Sequence, residues 1–152
     1  MKAIKILIII LNLYVGGFMI YGSLGKFKPT PKPTEIIEKV QKGEEIAPSE
    51  DILIIKNYIF GMKQSGFFWP FLGIMEFLAG FLLVSQVFSR IGAIVAFPLT
   101  VNIFLFHFFL ESHEIGELFQ TLTLLVANII LIGSTYKIWK PLIFDKELLK
   151  VS

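Results

Sequence analysis

Cysteine is absent from this 152-residue chain. Its absence removes disulfides, thiol catalysis, iron–sulfur clusters, thiolate metal sites and any dithiol relay at once. Histidine is nearly as scarce: there are 2, too few for the histidine boxes of membrane metalloenzymes. Charge is sparse as well, with 17% Asp, Glu, Lys and Arg against about 25% in soluble domains. The net charge is only +2. Without basic residues interleaved with aromatics, that balance argues against a nucleic-acid partner. What the chain has in plenty is apolar surface. It is 55% hydrophobic, carries 16 phenylalanines and has a mean hydropathy of +0.73.

The apolar residues gather into four windows. Ile6 to Gly25, Ile91 to Leu110 and Leu118 to Tyr136 carry no charge, and Phe67 to Ser89 carries one, Glu76. A bilayer core of about 30 Å needs about 20 helical residues. Lipid leaves backbone polar groups unsatisfied, so each window is expected to be a helix. With their flanks, the expected spans are residues 4–26, 67–89, 91–111 and 118–138. The expected fold is an all-α membrane protein, a four-transmembrane-helix antiparallel bundle in one domain over 1–152. Lys2 and Lys5 ahead of the first window resemble the start of a signal peptide. The window is too long for one and lacks a small-x-small cleavage site, so it is read as a span.

The connections are unequal. Spans two and three are joined by little more than Arg90, and spans three and four by the acidic stretch Glu111 to Glu117. Spans one and two are separated by the long loop 27–66, which opens on Lys28-Pro29-Thr30-Pro31-Lys32-Pro33, a stiff extended segment. Two short amphipathic helices are expected in this loop. One runs from Glu35 to Lys42 and ends at Gly43; the other starts after Pro48 with Ser49 as N-cap. In the second, Ile52, Ile55, Ile59 and Met62 share a face that suits a membrane surface or the end of the bundle. Basic residues do not decide orientation outright, since each side of a four-span chain carries seven. The long loop dilutes its lysines and the acidic loop has none, so both termini are expected on the cytoplasmic side, in a bacterial cytoplasmic membrane.

An ionisable group at membrane depth costs roughly 2.5–3.5 kcal/mol to insert, so it marks a candidate site. Counted from the loop end of each span, Glu76, Asn102 and Asn128 fall within about 3 Å of one level at 1.5 Å per residue. Tyr14 lies close to that level on the first span, with Asn12 a little deeper. One inward-facing polar layer is expected. For the asparagines the plainer reading is interhelical hydrogen bonding. Gly73, Glu76 and Gly80 share a face, which reads as close helix packing. Pro98 deprives the Ile94 carbonyl of its helical partner and is expected to kink the third span next to Asn102.

A second polar group collects at the loop-side end. It contains Lys26, His107 and Glu111, with Tyr21 and Trp69 at interfacial depth. The run His107, Glu111, His113, Glu114, Glu117 has the residue types of a metal cluster. Its two histidines, however, are badly spaced for one helical face. No metal is expected, and His107 reads as an interfacial histidine bonded to a carbonyl or carboxylate.

Three stretches of the chain resemble the DoxX family of small bacterial membrane proteins. In FMIYGSLGKFKPTPKP the resemblance lies in Gly22, Lys26 and Phe27 ahead of the prolines. In GIMEFLAGFLLVSQVFSRIGAIVAFPLTVNIFLFHFFLE it lies in Glu76, Gly80, the Arg90 turn, Pro98, Asn102 and His107. The third stretch is PLI at Pro141. The resemblance implies a four-helix membrane fold. It also implies kinship with proteins of quinone-linked sulfur-compound oxidation, with members of oxidoreductase complexes in oxidative-stress defence and, more distantly, with assembly factors. A thiol-based role does not carry over to a chain without cysteine.

Three functions compete. The first is an oxidoreductase-associated accessory subunit that binds quinone or another lipid-soluble molecule on the side of the long loop. Its ligand-binding residues would be Lys26, Glu76, Asn102, His107, Asn128 and Tyr14. A Lys or His donor to a quinone carbonyl beside a carboxyl that supplies protons is sound chemistry. No intrinsic cofactor is expected, so a redox partner protein would deliver the electrons. The second function is a solute transporter that titrates Glu76 and needs a second copy of the chain. The third is an assembly factor in which the polar layer only holds helices together.

Overall fold

The computed structural model describes residues 2–28, 42 and 50–143, and the described residues are helical without strands. Helix α1 (Lys2–Leu24) runs into a 3-10 turn at Gly25–Phe27. Then follow α2 (Glu50–Gln64), α3 (Phe68–Val84), α4 (Ser89–Leu110), α5 (Ile115–Ser134) and the short α6 (Tyr136–Ile143). Residues 2–27, 89–110 and 115–134 are each long and apolar enough to cross a membrane. Helix α3 has 17 residues, about 26 Å at 1.5 Å each. It reaches spanning length only together with the end of α2, from which it is bent by 97° across a short break.

Several boundaries differ from those expected. The second span ends at Val84 rather than 89, because Gln86 takes a left-handed φ of 59° and closes a turn over Ser85–Phe88. The Ser85 hydroxyl donates to Leu82 O and accepts from Phe88 N–H, which fixes that turn. Arg90 therefore stands in the first turn of α4, not in the connection. The last span ends at Ser134 rather than 138. Thr135 breaks the helix, and its hydroxyl accepts a 2.8 Å hydrogen bond from Trp139 Nε1. The helix placed after Pro48 is α2, whereas its cap Ser49, the side chain of Ile52 and residues 35–41 of the helix expected at 35–42 lie outside the described residues.

Small residues set the packing. An added Cβ on Gly80 would stand 2.6 Å from Gly16 O, and one on Gly16 would stand 2.9 Å from Gly80 O. The backbones of α1 and α3 thus meet with nothing between them, as small residues allow in membrane bundles. At Gly73, on the same face, a Cβ would meet that of Lys26 at 2.9 Å. This is the close packing expected of Gly73 and Gly80. Contacts between α1 and α3 run in opposite senses: Asn12 with Gln86, Gly16 with Gly80, Lys26 with Glu76. Helix α4 packs on α3 and α5, and α5 returns to α1. The core between them is built from Val15, Met19, Leu83, Leu124 and Leu131, with Ala79, Ala93, Ala96 and Ala127. Ile10, Phe71, Phe81, Phe97, Phe119 and Ile129 point outward, an apolar exterior that belongs in lipid rather than water.

Candidate functional site

Four helices, α1 to α4, and the 3-10 turn line a half-open pocket of about 230 Å³, with Asn102 at its exposed side. Phe18, Met19 and Gly22 come from α1, Leu72 and Trp69 from α3, Ile103 and Phe106 from α4, and Tyr58, Ile59 and Met62 from α2. The apolar face of α2 was legible as Ile55, Ile59 and Met62, all three of them half-buried. Because α2 lies at a steep angle to α3, this face covers the cavity end-on. The rings of Tyr58 and Phe106 meet at 5.6 Å between centroids and hold α2 against α4.

Four polar side chains reach this apolar chamber: Lys26, Glu76, Asn102 and His107. Lys26 enters from the 3-10 turn that ends α1. Its Nζ donates to Glu76 Oε2 at 2.7 Å and to Gly22 O at 3.1 Å. The side chains of Lys26 and Glu76 are 14% and 3% exposed, so the pair is an internal one. The stem of Lys26 fits because Gly73 has no side chain in its way. Lys26 Nζ also lies 5.3 Å from the centre of the Trp69 ring, with Lys63 at 5.1 Å. The sequence placed Lys26 at the interface and Glu76 near mid-depth. The long lysine side chain closes that gap.

The remaining expected site residues lie elsewhere. Asn128 is fully buried between α4 and α5. With its amide oriented to satisfy both ends, Nδ2 donates to Ala93 O at 3.0 Å and Oδ1 accepts from Phe97 N–H at 3.0 Å. Ala93 and Phe97 are the two ends of one helical rung, immediately before the rung that Pro98 removes. The Thr100 hydroxyl stands 3.1 Å from the same carboxamide and 2.9 Å from Phe97 O. Asn128 therefore ties α5 to α4 at the proline, as interhelical hydrogen bonding predicts. Tyr14 is half-buried against the core and does not line the cavity. Asn12 donates to Gln86 Oε1 at 3.0 Å toward the opposite end of the bundle. The single polar layer thus resolves into three separate groups. Equal depth put the residues at one level but could not say which faces they shared.

At the cavity's outer end, His107 Nδ1 stands 2.7 Å from Glu111 Oε2 and 3.5 Å from Glu117 Oε2. Nδ1 is buried, yet neither contact has the geometry of a hydrogen bond. His113 is exposed and its closest carboxylate, Glu114, is 4.0 Å away. Glu117 belongs to the run that the sequence grouped with His107, although ten residues separate the two. The tight turn Glu111–Glu114, closed by Glu114 N–H to Glu111 O at 2.9 Å, brings it back.

No curated protein and no solved structure proved similar to this chain. The DoxX family pattern, in contrast, matches residues 7–108, a stretch that contains α2 and α3 with most of α1 and α4 and supplies Lys26, Glu76, Asn102 and His107. A match over two thirds of a chain with this helical, lipid-adapted exterior is decisive: the protein is a multi-pass membrane protein of the DoxX family.

Proposed function

We propose that the protein is an oxidoreductase-associated membrane subunit that binds the head of a quinone, or of a similar lipid-soluble molecule, in the cavity beneath α2. In this reading α1, α3, α4 and α5 span a bacterial cytoplasmic membrane as an antiparallel bundle. Both termini face the cytoplasm, and α2 lies across the opposite end. The observation that carries the proposal is the Lys26–Glu76 pair at 2.7 Å in a largely apolar pocket. A chamber of about 230 Å³ is smaller than the usual ligand pocket of about 300–1,000 Å³. It suits a ring-sized head whose tail leaves between the helices. Lys26 would donate to a ring carbonyl, and Asn102 and His107 offer further polar contacts. Glu76 supports Lys26 and can pass a proton. Electrons would come from a redox partner protein, because the chain has no cysteine and too few histidines for a redox centre of its own.

The test uses wild-type protein in nanodiscs and Trp69 as reporter, with the other tryptophan removed as Trp139→Phe. A short-chain quinone should quench Trp69 saturably, and Lys26→Met should abolish the saturable part. Native mass spectrometry of protein extracted gently from its own membrane should show a retained amphiphile. A linear, unsaturable quench together with a clean apo mass would overturn the proposal in favour of an assembly role.

A further inference from the structure

We infer that His107, Glu111 and Glu117 form a binding site for a divalent transition-metal ion where α4 turns into α5. Three observations converge on it. First, one donor atom from each residue lies within 4.8 Å of the other two. A metal bound tetrahedrally at about 2.0–2.2 Å from N and O donors separates neighbouring ligands by about 3.3–3.6 Å. The 3.5 Å distance from Nδ1 to Glu117 matches that spacing, and the 2.7 Å distance to Glu111 is shorter than it. A small side-chain rotation of the partly buried Glu111 would reach it, while Glu117 is exposed and free to adjust.

Second, the buried Nδ1 of His107 has no hydrogen bond. A buried nitrogen without a partner loses its desolvation cost uncompensated, and a cation between it and the glutamates would use its lone pair. Third, the cluster is short of positive charge. Two carboxylates converge on one imidazole, and among the described residues no lysine or arginine forms an ion pair with either. Lys26, the cation on the cavity side, is paired with Glu76.

The donor set selects the ion. One imidazole and two carboxylates without thiolate suit Zn²⁺, Mn²⁺ or Fe²⁺ better than Ca²⁺ or Mg²⁺, which prefer oxygen alone. Three protein donors leave a coordination position open. Because His107 also lines the cavity, that position stands at the cavity's edge. The sequence argued against a metal by trying to pair His107 with His113. The fold instead pairs His107 with Glu117 from the first turn of α5. Glu111 and Glu117 both lie beyond the stretch that matches the family. The inference does not depend on what fills the cavity.

The experiment is an Mn²⁺ titration of chelator-washed, full-length protein in nanodiscs. Electron paramagnetic resonance reads free Mn²⁺ from its six-line signal and the bound ion from its nitrogen coupling. One Mn²⁺ per chain with a nitrogen coupling is expected, displaced by Zn²⁺. Glu117→Gln, at a side chain 59% exposed and so without consequence for folding, should weaken binding by about tenfold or more. The nitrogen coupling should vanish in His107→Gln. Glu114→Gln, an exposed neighbour outside the cluster, should change nothing. No saturable binding, or equal weakening by Glu114→Gln and Glu117→Gln, would overturn the inference and leave an ion-free His–Glu contact.

Discussion

Lys26 Nζ and Glu76 Oε2 meet at 2.7 Å across fifty residues of sequence, on side chains that are almost wholly buried. Each charge is tolerable there only because of the other. Removing one partner of a buried pair costs about 3–5 kcal/mol, because the survivor is left uncompensated. Lys26→Met and Glu76→Gln should therefore each destabilise the protein markedly. The double variant should cost clearly less than their sum, since it leaves no stranded charge. Reversible unfolding in mixed micelles measures all four corners of this cycle. Additive losses would show that the two residues act independently and would remove the pair from the site.

The contact between Gly16 and Gly80 predicts a sharp positional contrast. Gly80→Ala places a methyl 2.6 Å from a backbone oxygen of α1, which a side-chain rotation cannot relieve. Overpacking of this kind costs about 1–3 kcal/mol. Gly17, one residue from Gly16, has open space around its would-be Cβ. Gly17→Ala should stay within about 1 kcal/mol of wild type or gain slightly from helix propensity. Thermal unfolding of the two variants side by side makes the comparison. Equal effects would mean that α1 and α3 do not meet at this face.

The two glycine positions also show what the sequence could and could not reveal. Four apolar runs announced the helices, because lipid imposes a single solution on a long uncharged segment. The turn at Ser85–Phe88 was hidden, because Val87 and Phe88 prolong the apolar run while Gln86 silently takes a left-handed φ. Lys26, Glu76, Asn102 and His107 were legible as polar residues that lipid would not tolerate. Their union in one cavity, with Asn128 and Tyr14 left outside it, depends on helix rotation, and depth along an axis carries no information about rotation. Glu117 joined His107 through a turn whose shape no periodicity encodes.

Asn128 should be worth more than an ordinary interhelical asparagine. Such residues average about 0.6 kcal/mol in membrane bundles. This one, however, bonds both the carbonyl of Ala93 and the N–H of Phe97, and stranding buried backbone groups costs about 1–3 kcal/mol. Asn128→Ala should fall in that higher range and speed hydrogen exchange at the Phe97 amide. A loss of about 0.6 kcal/mol or less, with unchanged exchange at Phe97, would show that the amide contributes no more than an ordinary interhelical asparagine.

Gly22 offers a way to fill the cavity without disturbing its walls. It lines the chamber, and an added Cβ would sit at an ordinary 3.7 Å from Glu76 Oε2. Gly22→Leu therefore places an isobutyl group in the space assigned to the ligand head while α1 keeps its contacts with α3 at Gly16 and Lys26. The variant should unfold within about 1–2 kcal/mol of wild type, because filling a void offsets the strain of a larger side chain. Saturable quinone quenching of Trp69 should nevertheless disappear, since the head has nowhere to sit. Mn²⁺ binding at His107, Glu111 and Glu117 should persist, because those donors come from the end of α4 and the start of α5 and none from α1. A Gly22→Leu protein that still quenches saturably would move the ligand out of this cavity. One that loses Mn²⁺ along with quinone would show that the two sites are a single site.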